Sequence, residues 1–378
     1  MPSFDHNATA PLSPLARDAW LQAQEQFWQN PSSPTREAAR VRLKLEAARE
    51  TVGALLGASA DRVVFTSGAT ESVQAIAAYL GKTFSPAARV AVNPTEHPCV
   101  LAAFGEAFPG RLVALTTDKD GIVSPDEVER AVGAGRPEHP IGAVAIMAAN
   151  NETGVLQPWP ELVDRCRRLR VPLVCDASQW IGKLPAAGLG QADWVFASAH
   201  KWGGPKGAGF LLRAPQADGF QGQRGGEQQR GHRGGTEDYP AVAAWLAAWV
   251  DAERVKVLSE SERVAWREEF ERTVSARIER VEIVGAHADR LWNTVSVIMP
   301  AHDNRRWVAL LDKRGFAVST GSACAAGKDG PSHVLASLGV SPDKIRRVLR
   351  LSSGWSTTHE EWVALAEAFA SVHRELSQ

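Results

Sequence analysis

The sequence predicts an α/β protein, in which a mainly parallel central sheet is flanked by helices and joined by a smaller α+β domain near the C-terminus. Three observations lead there. Short apolar or β-branched runs alternate with longer amphipathic stretches through the first two thirds of the chain, the pattern of strand, crossover helix and parallel strand. Several of these runs carry apolar side chains in succession, as strands covered on both faces require. The last third changes character, with short strand-like pieces and a final helical stretch.

Taken in order, strands are expected at 62–65, 90–93, 144–147, 172–175, 194–197 and 209–212, with helical spacing between them at 37–56, 71–79 and 161–169. Strand-like pieces recur within 283–300 and at 316–319 and 348–352. Trp362, Leu365, Ala366, Phe369, Val372 and Leu376 then line one face of a last helix. Thr358 and Glu361 before it have capping-box spacing, so hydroxyl and carboxylate would satisfy the first free amides. The expected division is a large unit at 15–257 and a small one made of 1–14 and 258–378.

The chain has 378 residues, enough for two cores, and 44% hydrophobic with 22% charged residues argues against disorder. A net charge of −1 gives no electrostatic reason to expect nucleic acid or an acidic membrane as partner. The single glycine- and arginine-rich stretch from Arg224 to Gly235 reads better as an ordered loop near an active site. Cys99, Cys166, Cys175 and Cys324 show neither metal-site nor disulfide-framework spacing, so no metal is expected and a reducing compartment suits them. No leader-like pattern precedes Phe4-Asp-His-Asn-Ala-Thr9 and no apolar run approaches a bilayer span, so the expected location is the cytoplasm.

Chemistry in such a sheet gathers beyond the carboxyl ends of the strands, and Thr66, His97, Asn151, Asp176 and Lys201 all fall at or just past such ends. Asp176 leaves one apolar run, Gln179 follows, and Lys201 leaves the next in Ser198-Ala-His-Lys-Trp-Gly-Gly. Lysine can hold an aldehyde cofactor as a Schiff base, and a carboxylate can keep a pyridine nitrogen protonated. The pair in this order points to pyridoxal phosphate (PLP). Lys183 and Lys206 are rivals, but both sit in turn-like contexts.

Other motifs admit two readings each. Thr66-Ser-Gly-Ala-Thr-Glu71 is either an anion cradle at a helix start or a plain cap; beside the Asp–Lys pair, phosphate is the better reading. His97 in Thr95-Glu-His-Pro-Cys99 is a proton relay or a loop histidine. Asn151 orients a ligand or merely builds a turn. Arg350, a charge in an apolar strand, grips a carboxylate or faces solvent at a sheet edge. Cys324, among small residues and near Lys328, is a candidate thiolate nucleophile, with Cys99 second; Cys166 and Cys175 suit burial.

Together these motifs closely resemble the PLP-dependent cysteine desulfurases of the NifS and IscS group, within the class V aminotransferases of fold type I. The likeness rests on Asp5-His-Asn-Ala-Thr9, Asn30-Pro-Ser-Ser33, Thr66-Ser-Gly-Ala-Thr-Glu-Ser72, Thr95-Glu-His97, Asn150-Asn-Glu-Thr-Gly154, Asp176-Ala-Ser-Gln179, Ser198-Ala-His-Lys201, Arg233-Gly-Gly-Thr236 and Gly321-Ser-Ala-Cys324. It implies that Lys201 carries the cofactor, Asp176 pairs with its ring nitrogen, Gln179 meets its phenolic oxygen and His97 stacks on the ring. It further implies phosphate binding by Ala69, Thr70, Ser198 and His200, with Thr236 reaching the other subunit of a homodimer. Asn151 and Arg350 would hold the carboxylate of L-cysteine. Cys324, on a long mobile loop, would take the sulfur as a persulfide for an acceptor protein such as an iron–sulfur scaffold. The resemblance leaves a selenocysteine lyase, an aminotransferase of small amino acids or a sulfur-delivery partner with little turnover as alternatives. Val73-Gln74, Pro34-Thr35, Trp355 and Glu227 depart from the usual pattern without removing any of these roles.

Overall fold

The computed structural model describes residues 2–135, 137–321 and 331–378, with the backbone alone at 256–258. Its main strands are β1 (Val63–Thr66), β2 (Arg89–Val92), β3 (Leu112–Ala114), β4 (Ile141–Ala145), β5 (Leu173–Asp176), β6 (Trp194–Ser198) and β7 (Gly209–Leu212). They form one sheet in the order β1-β7-β6-β5-β4-β2-β3. Strands β2 to β6 pair in parallel, while β7 lies antiparallel between β1 and β6. The expected strands are therefore present within a few residues of their predicted bounds. The short edge strand β3 was not expected.

The helices are α1 (Pro14–Gln26), α2 (Arg36–Leu56), α3 (Ala69–Thr83), α4 (Pro98–Ala107), α5 (Pro125–Gly133), α6 (Trp159–Leu169), α7 (Tyr239–Arg277), α8 (Asn304–Lys313), α9 (His333–Ser337), α10 (Pro342–Ile345) and α11 (His359–Leu376). Successive strand residues go to opposite faces. Val64, Val174 and Phe196 join Val73, Ile76 and Phe104 of α3 and α4 in one buried cluster. Phe65, Cys175 and Val195 join Val52, Leu162 and Trp249 of α2, α6 and α7 in another. Burial on both faces is why these strands read as unbroken apolar runs.

A second sheet orders β10 (Val348–Ser352), β9 (Thr294–Ile298) and β8 (Glu282–Ile283), all antiparallel. Its core takes Phe270 and Val274 from the far half of α7 together with Trp307, Trp362 and Phe369. The capping box forms as expected at the start of α11. The run at 316–319 is not a strand. Ala317 bridges Ser3 and Ser319 bridges Arg350, single pairs with different partners that never grow into a ladder.

Two features set the site's floor. Lys201 is followed by Trp202, which is buried, donates its indole N–H to the Trp245 carbonyl at 3.1 Å, and lies among Phe210, Trp245 and Trp249. Truncating such a buried Trp costs about 3–5 kcal/mol, so the turn carrying Lys201 is well anchored. On the outer edge of β1, Gln229 acts as a substitute strand partner. Its amide oxygen accepts from the Phe65 N–H and its amide nitrogen donates to the Phe65 carbonyl, both at 2.7 Å. The glycine- and arginine-rich stretch is thus ordered against the sheet. No helix among the described residues is long and apolar enough to cross a membrane.

Candidate active site

The sheet brings Asp176 and Lys201 to adjacent strand ends. Asp176 is the last residue of β5 and is buried, with one carboxylate oxygen accepting from the Ser178 N–H at 2.8 Å. Lys201 lies in the turn leaving β6, its ammonium donating to the Asn7 and Ala8 carbonyls at 2.7 and 2.9 Å. Gln179 donates to that same Asn7 carbonyl at 3.0 Å and accepts from buried Lys183. Lysine, glutamine and the N-terminal segment therefore converge on one point beside the acid. Lys206 sits apart, exposed in the turn before β7.

The start of α3 lies next to them. Its cap position is Gly68, at φ 144°, with no side-chain acceptor. The Ala69 amide instead donates to the Ser198 hydroxyl at 2.8 Å, across from β6. Gly209 permits this approach, since a Cβ there would stand 2.7 Å from the Gly68 Cα and 2.4 Å from the Ala197 carbonyl oxygen. A helix start left without a cap, with a hydroxyl beside it, is a ready anion site. His200 places Nδ1 3.1 Å from the Thr9 hydroxyl, and burial, with the charges of Lys201, Lys206 and Lys183, pushes its pKa down to about 4. It is therefore a neutral hydrogen-bonding group near pH 7. An amine, a carboxylate and an anion cradle at neighbouring strand ends fit pyridoxal phosphate.

His97 caps α4, its ring nitrogen Nδ1 accepting from the Cys99 amide at 3.2 Å. Burial lowers its pKa, opposed by Asp176 and reinforced by Lys201 and His333, so the ring shares the field of the acid and the amine. Glu96 is fully buried beside it and accepts from the Met147 N–H at 2.5 Å. Burial, reinforced by Asp176, pushes its carboxyl well above the usual range, toward the protonated form. His333 docks on the Glu96 carbonyl at 2.8 Å.

Arg350 is 1% exposed, which removes the solvent-facing reading. Its guanidinium pairs with Asp5 at 2.6 Å and donates to the Asn151 carbonyl at 3.2 Å, while Nε is buried without a partner among the described residues. A buried guanidinium with an unused N–H is a fitting grip for a carboxylate. Asn151 lies half-buried between Asn7 and Arg350, both of which donate to its carbonyl. Thr236 is exposed; its neighbour Arg233 pairs with Glu71 at 2.9 Å, which ties that loop to the α3 start. Cys324 and its loop lie outside the described residues. Cys166 and Cys175 are buried, and burial drives their thiols up, to about 12 for Cys166. Both are inert core cysteines, as expected.

Sequence reasoning gave no role to Asp5, Asn7, Ala8, Glu96 or Glu152. Asn7 accepts from Lys201 and Gln179 through its carbonyl and donates to Asn151 and Thr294 through its side chain. Glu152 accepts from Ser332 at 2.6 Å, just beyond the cysteine loop. The available signal was the density of polar residues in Asp5-His-Asn-Ala-Thr9 and Asn150-Asn-Glu-Thr, too many for a plain turn.

The family model for class-V aminotransferases matches residues 3–365. A cysteine desulfurase of Cereibacter sphaeroides is 36% identical over 370 residues, spanning 94% of this chain and 92% of that one. Among solved structures, a NifS-like protein superposes with a TM-score of 0.88 at 27% identity, covering 99% of both chains. SspA in complex with cysteine superposes with a TM-score of 0.80 at 28% identity, covering 93% of this chain and 99% of that one. The likeness extends over nearly the whole length and includes the strand ends that carry the acid and the amine, so the chain belongs to the class-V aminotransferase family.

Proposed function

We propose that the protein is a pyridoxal phosphate-dependent cysteine desulfurase, which takes sulfur from L-cysteine, releases L-alanine and leaves the sulfur as a persulfide on Cys324. The observation that carries this reading is the meeting of Lys201, Asp176 and the uncapped α3 start at neighbouring strand ends. The name shared by the relatives and the neighbour bound to cysteine support the substrate.

Lys201 would hold the cofactor, Asp176 would face its ring nitrogen and Gln179 its phenolic oxygen, with His97 against the ring. Ala69, Thr70, Ser198 and His200 would bind the phosphate, and Thr236 that of a second subunit. Pyridoxal phosphate supplies an electrophilic aldehyde and an electron-withdrawing ring that makes the substrate α-carbon acidic. Arg350 and Asn151 hold the substrate carboxylate, which orients the α-carbon toward Lys201. The Lys201 amine takes the α-proton. The Cys324 thiolate attacks the substrate sulfur, the carbon–sulfur bond breaks with its electron pair leaving toward carbon, and protons delivered at carbon complete alanine.

Exposed Leu15, Leu21, Trp28 and Leu43, on and around α1 and α2, support burial of this face in a homodimer. We place the large unit at 15–257 and the small one at 1–14 with 258–378, joined through α7. Sulfur then passes to an acceptor protein, an iron–sulfur scaffold or another carrier, in the cytoplasm.

The test is an alanine and sulfide assay with labelled cysteine. Wild type should form alanine and a labelled persulfide at Cys324; Lys201→Ala should lose at least roughly 1,000-fold in alanine formation. Cys324→Ala should form no persulfide and negligible alanine. Alanine formation at the wild-type rate by Cys324→Ala would refute the nucleophile.

A further inference from the structure

His97 stands at the cap position of α4 with φ −60° and ψ 143°, and its ring folds onto its own helix. The Cys99 amide donates to Nδ1 at 3.2 Å, and the Cys99 Sγ lies 3.0 Å from the same nitrogen. A backbone N–H can only donate, so Nδ1 is an acceptor and carries no proton. A thiol so close to that lone pair is held there as a second donor, because sulfur lone pairs would be repelled by it. We infer that Cys99 is a positioning residue for the desulfuration: with the first turn of α4 it fixes His97 as the tautomer protonated at Nε2. The consequence for catalysis rests on the desulfurase reading above, in which His97 lies against the cofactor ring.

The groups facing the ring from other elements are Asp176 at the end of β5, Lys201 after β6 and His333 at the start of α9. Asp176 favours a second proton on the ring; burial, the largest influence, opposes it together with Lys201 and His333. A proton on Nδ1 would also set N–H against N–H at the Cys99 amide. The resting imidazole is thus neutral, with Nδ1 committed as an acceptor and its one proton on Nε2. Taking the α-proton then falls to Lys201, and His97 serves as a neutral ring offering a hydrogen bond through Nε2–H, a state that a second proton on Nδ1 would end by breaking the Cys99 contacts. Most side chains at this helix position would leave only the amide on Nδ1. The thiol adds a second hydrogen bond and makes the preference sharper.

The test compares PLP-loaded wild type, Cys99→Ala and Cys99→Ser. Ring-15N histidine spectra, with the His97 signal assigned by its loss in His97→Gln, read the tautomer without any turnover. Wild type should show a protonated Nε2 and a bare Nδ1. In the pH profile of kcat/KM for alanine formation, Cys99→Ala should raise the acid limb by roughly half a pH unit, about threefold in proton affinity. The sign follows from losing a donor that opposed the second proton. Cys99→Ser keeps a donor and should stay within about 0.2 unit of wild type. A proton found on Nδ1 in wild type overturns the inference, as does lower activity in Cys99→Ala with an unmoved limb. If wild type makes no alanine, the desulfurase reading fails, and the ring spectrum still decides the tautomer.

Discussion

The starts of α3 and α11 treat the same problem in opposite ways. Every helix leaves its first four amides without partners inside the helix. At α11 the chain satisfies them itself: the Thr358 hydroxyl accepts from the Glu361 amide at 3.3 Å, and the Glu361 carboxylate accepts from the Thr358 amide at 3.1 Å. At α3 the cap is glycine, and a long-range acceptor, Ser198, comes from 129 residues away in sequence. Titratable groups follow the same division. On the strand-end side of the molecule burial holds Glu96, His97 and His200 toward their uncharged forms, while Glu71 in the first turn of α3 is the exception, held below its usual range, against burial, by Arg233 and Ser67. At α11 the Glu360 carboxyl is held below its usual range by its own backbone amide and by Thr358, toward the charged form. A structural helix start keeps charge where caps and water satisfy it. The α3 start also holds a carboxylate, Glu71, but commits it to the Ser67 amide at 2.7 Å and the Arg233 guanidinium at 2.9 Å.

Placing a carboxylate at the α3 start should break this contrast most strongly. Thr70 is exposed at the second position of the helix, so Thr70→Asp needs no repacking. A negative charge there favours the helix itself by about 0.3–1 kcal/mol, yet repels phosphate from the same amides. Affinity for pyridoxal phosphate should fall roughly 100-fold, about 2.7 kcal/mol, while the melting temperature of the cofactor-free protein holds or rises. An absorbance titration of the cofactor reads the first quantity. Equal affinity in the two proteins would mean that the α3 start is not the phosphate site.

Glu96→Gln sharpens the electrostatic half of the comparison. The native carboxyl keeps its proton well above the range where an unfolded glutamate loses it, about pH 4.3. Between those two values the native state binds one more proton than the unfolded state. Its stability therefore falls as pH rises, by about 1.4 kcal/mol per pH unit, starting from the ordinary glutamate range. Glutamine keeps an oxygen for the Met147 amide and cannot ionise. Urea unfolding should thus show the variant gaining on wild type from pH 5 to pH 8. A difference that does not change with pH would place a charged Glu96 in the folded protein.

Much of this floor was legible in the sequence, for a physical reason. Strands covered on both faces must be continuous apolar runs, so the run at β7 agrees with its predicted bounds to the residue and the exits of β5 and β6 point directly at Asp176 and Lys201. Edge strand β3 has no fully buried residue, so no run marks it. The stretch at 316–319 has strand-like composition, but its neighbours change from Ser3 to Arg350 within three residues. Hardest to read is the N-terminal segment. Asn7 and Ala8 receive Lys201 through backbone carbonyls, which every residue possesses. The Asp5–Arg350 pair joins residues 345 positions apart, a proximity that no local pattern encodes.

The smallest effect tests the α11 side. Thr358→Ala removes the hydroxyl that accepts from the Glu361 amide and leaves the reciprocal bond from the Thr358 amide in place. Loss of such a cap costs about 1 kcal/mol. In a chain of 378 residues that lowers the melting temperature by only about 2 °C. Because α11 satisfies its own amides and buries Trp362, Leu365 and Phe369 in the second core, the loss should stay local to stability. Cofactor affinity and alanine formation should match wild type within about twofold, a difference near 0.4 kcal/mol. If Thr358→Ala weakened pyridoxal phosphate as much as Thr70→Asp does, the two helix starts would be coupled through the fold. Capping, and not ligand binding, would then be what separates them.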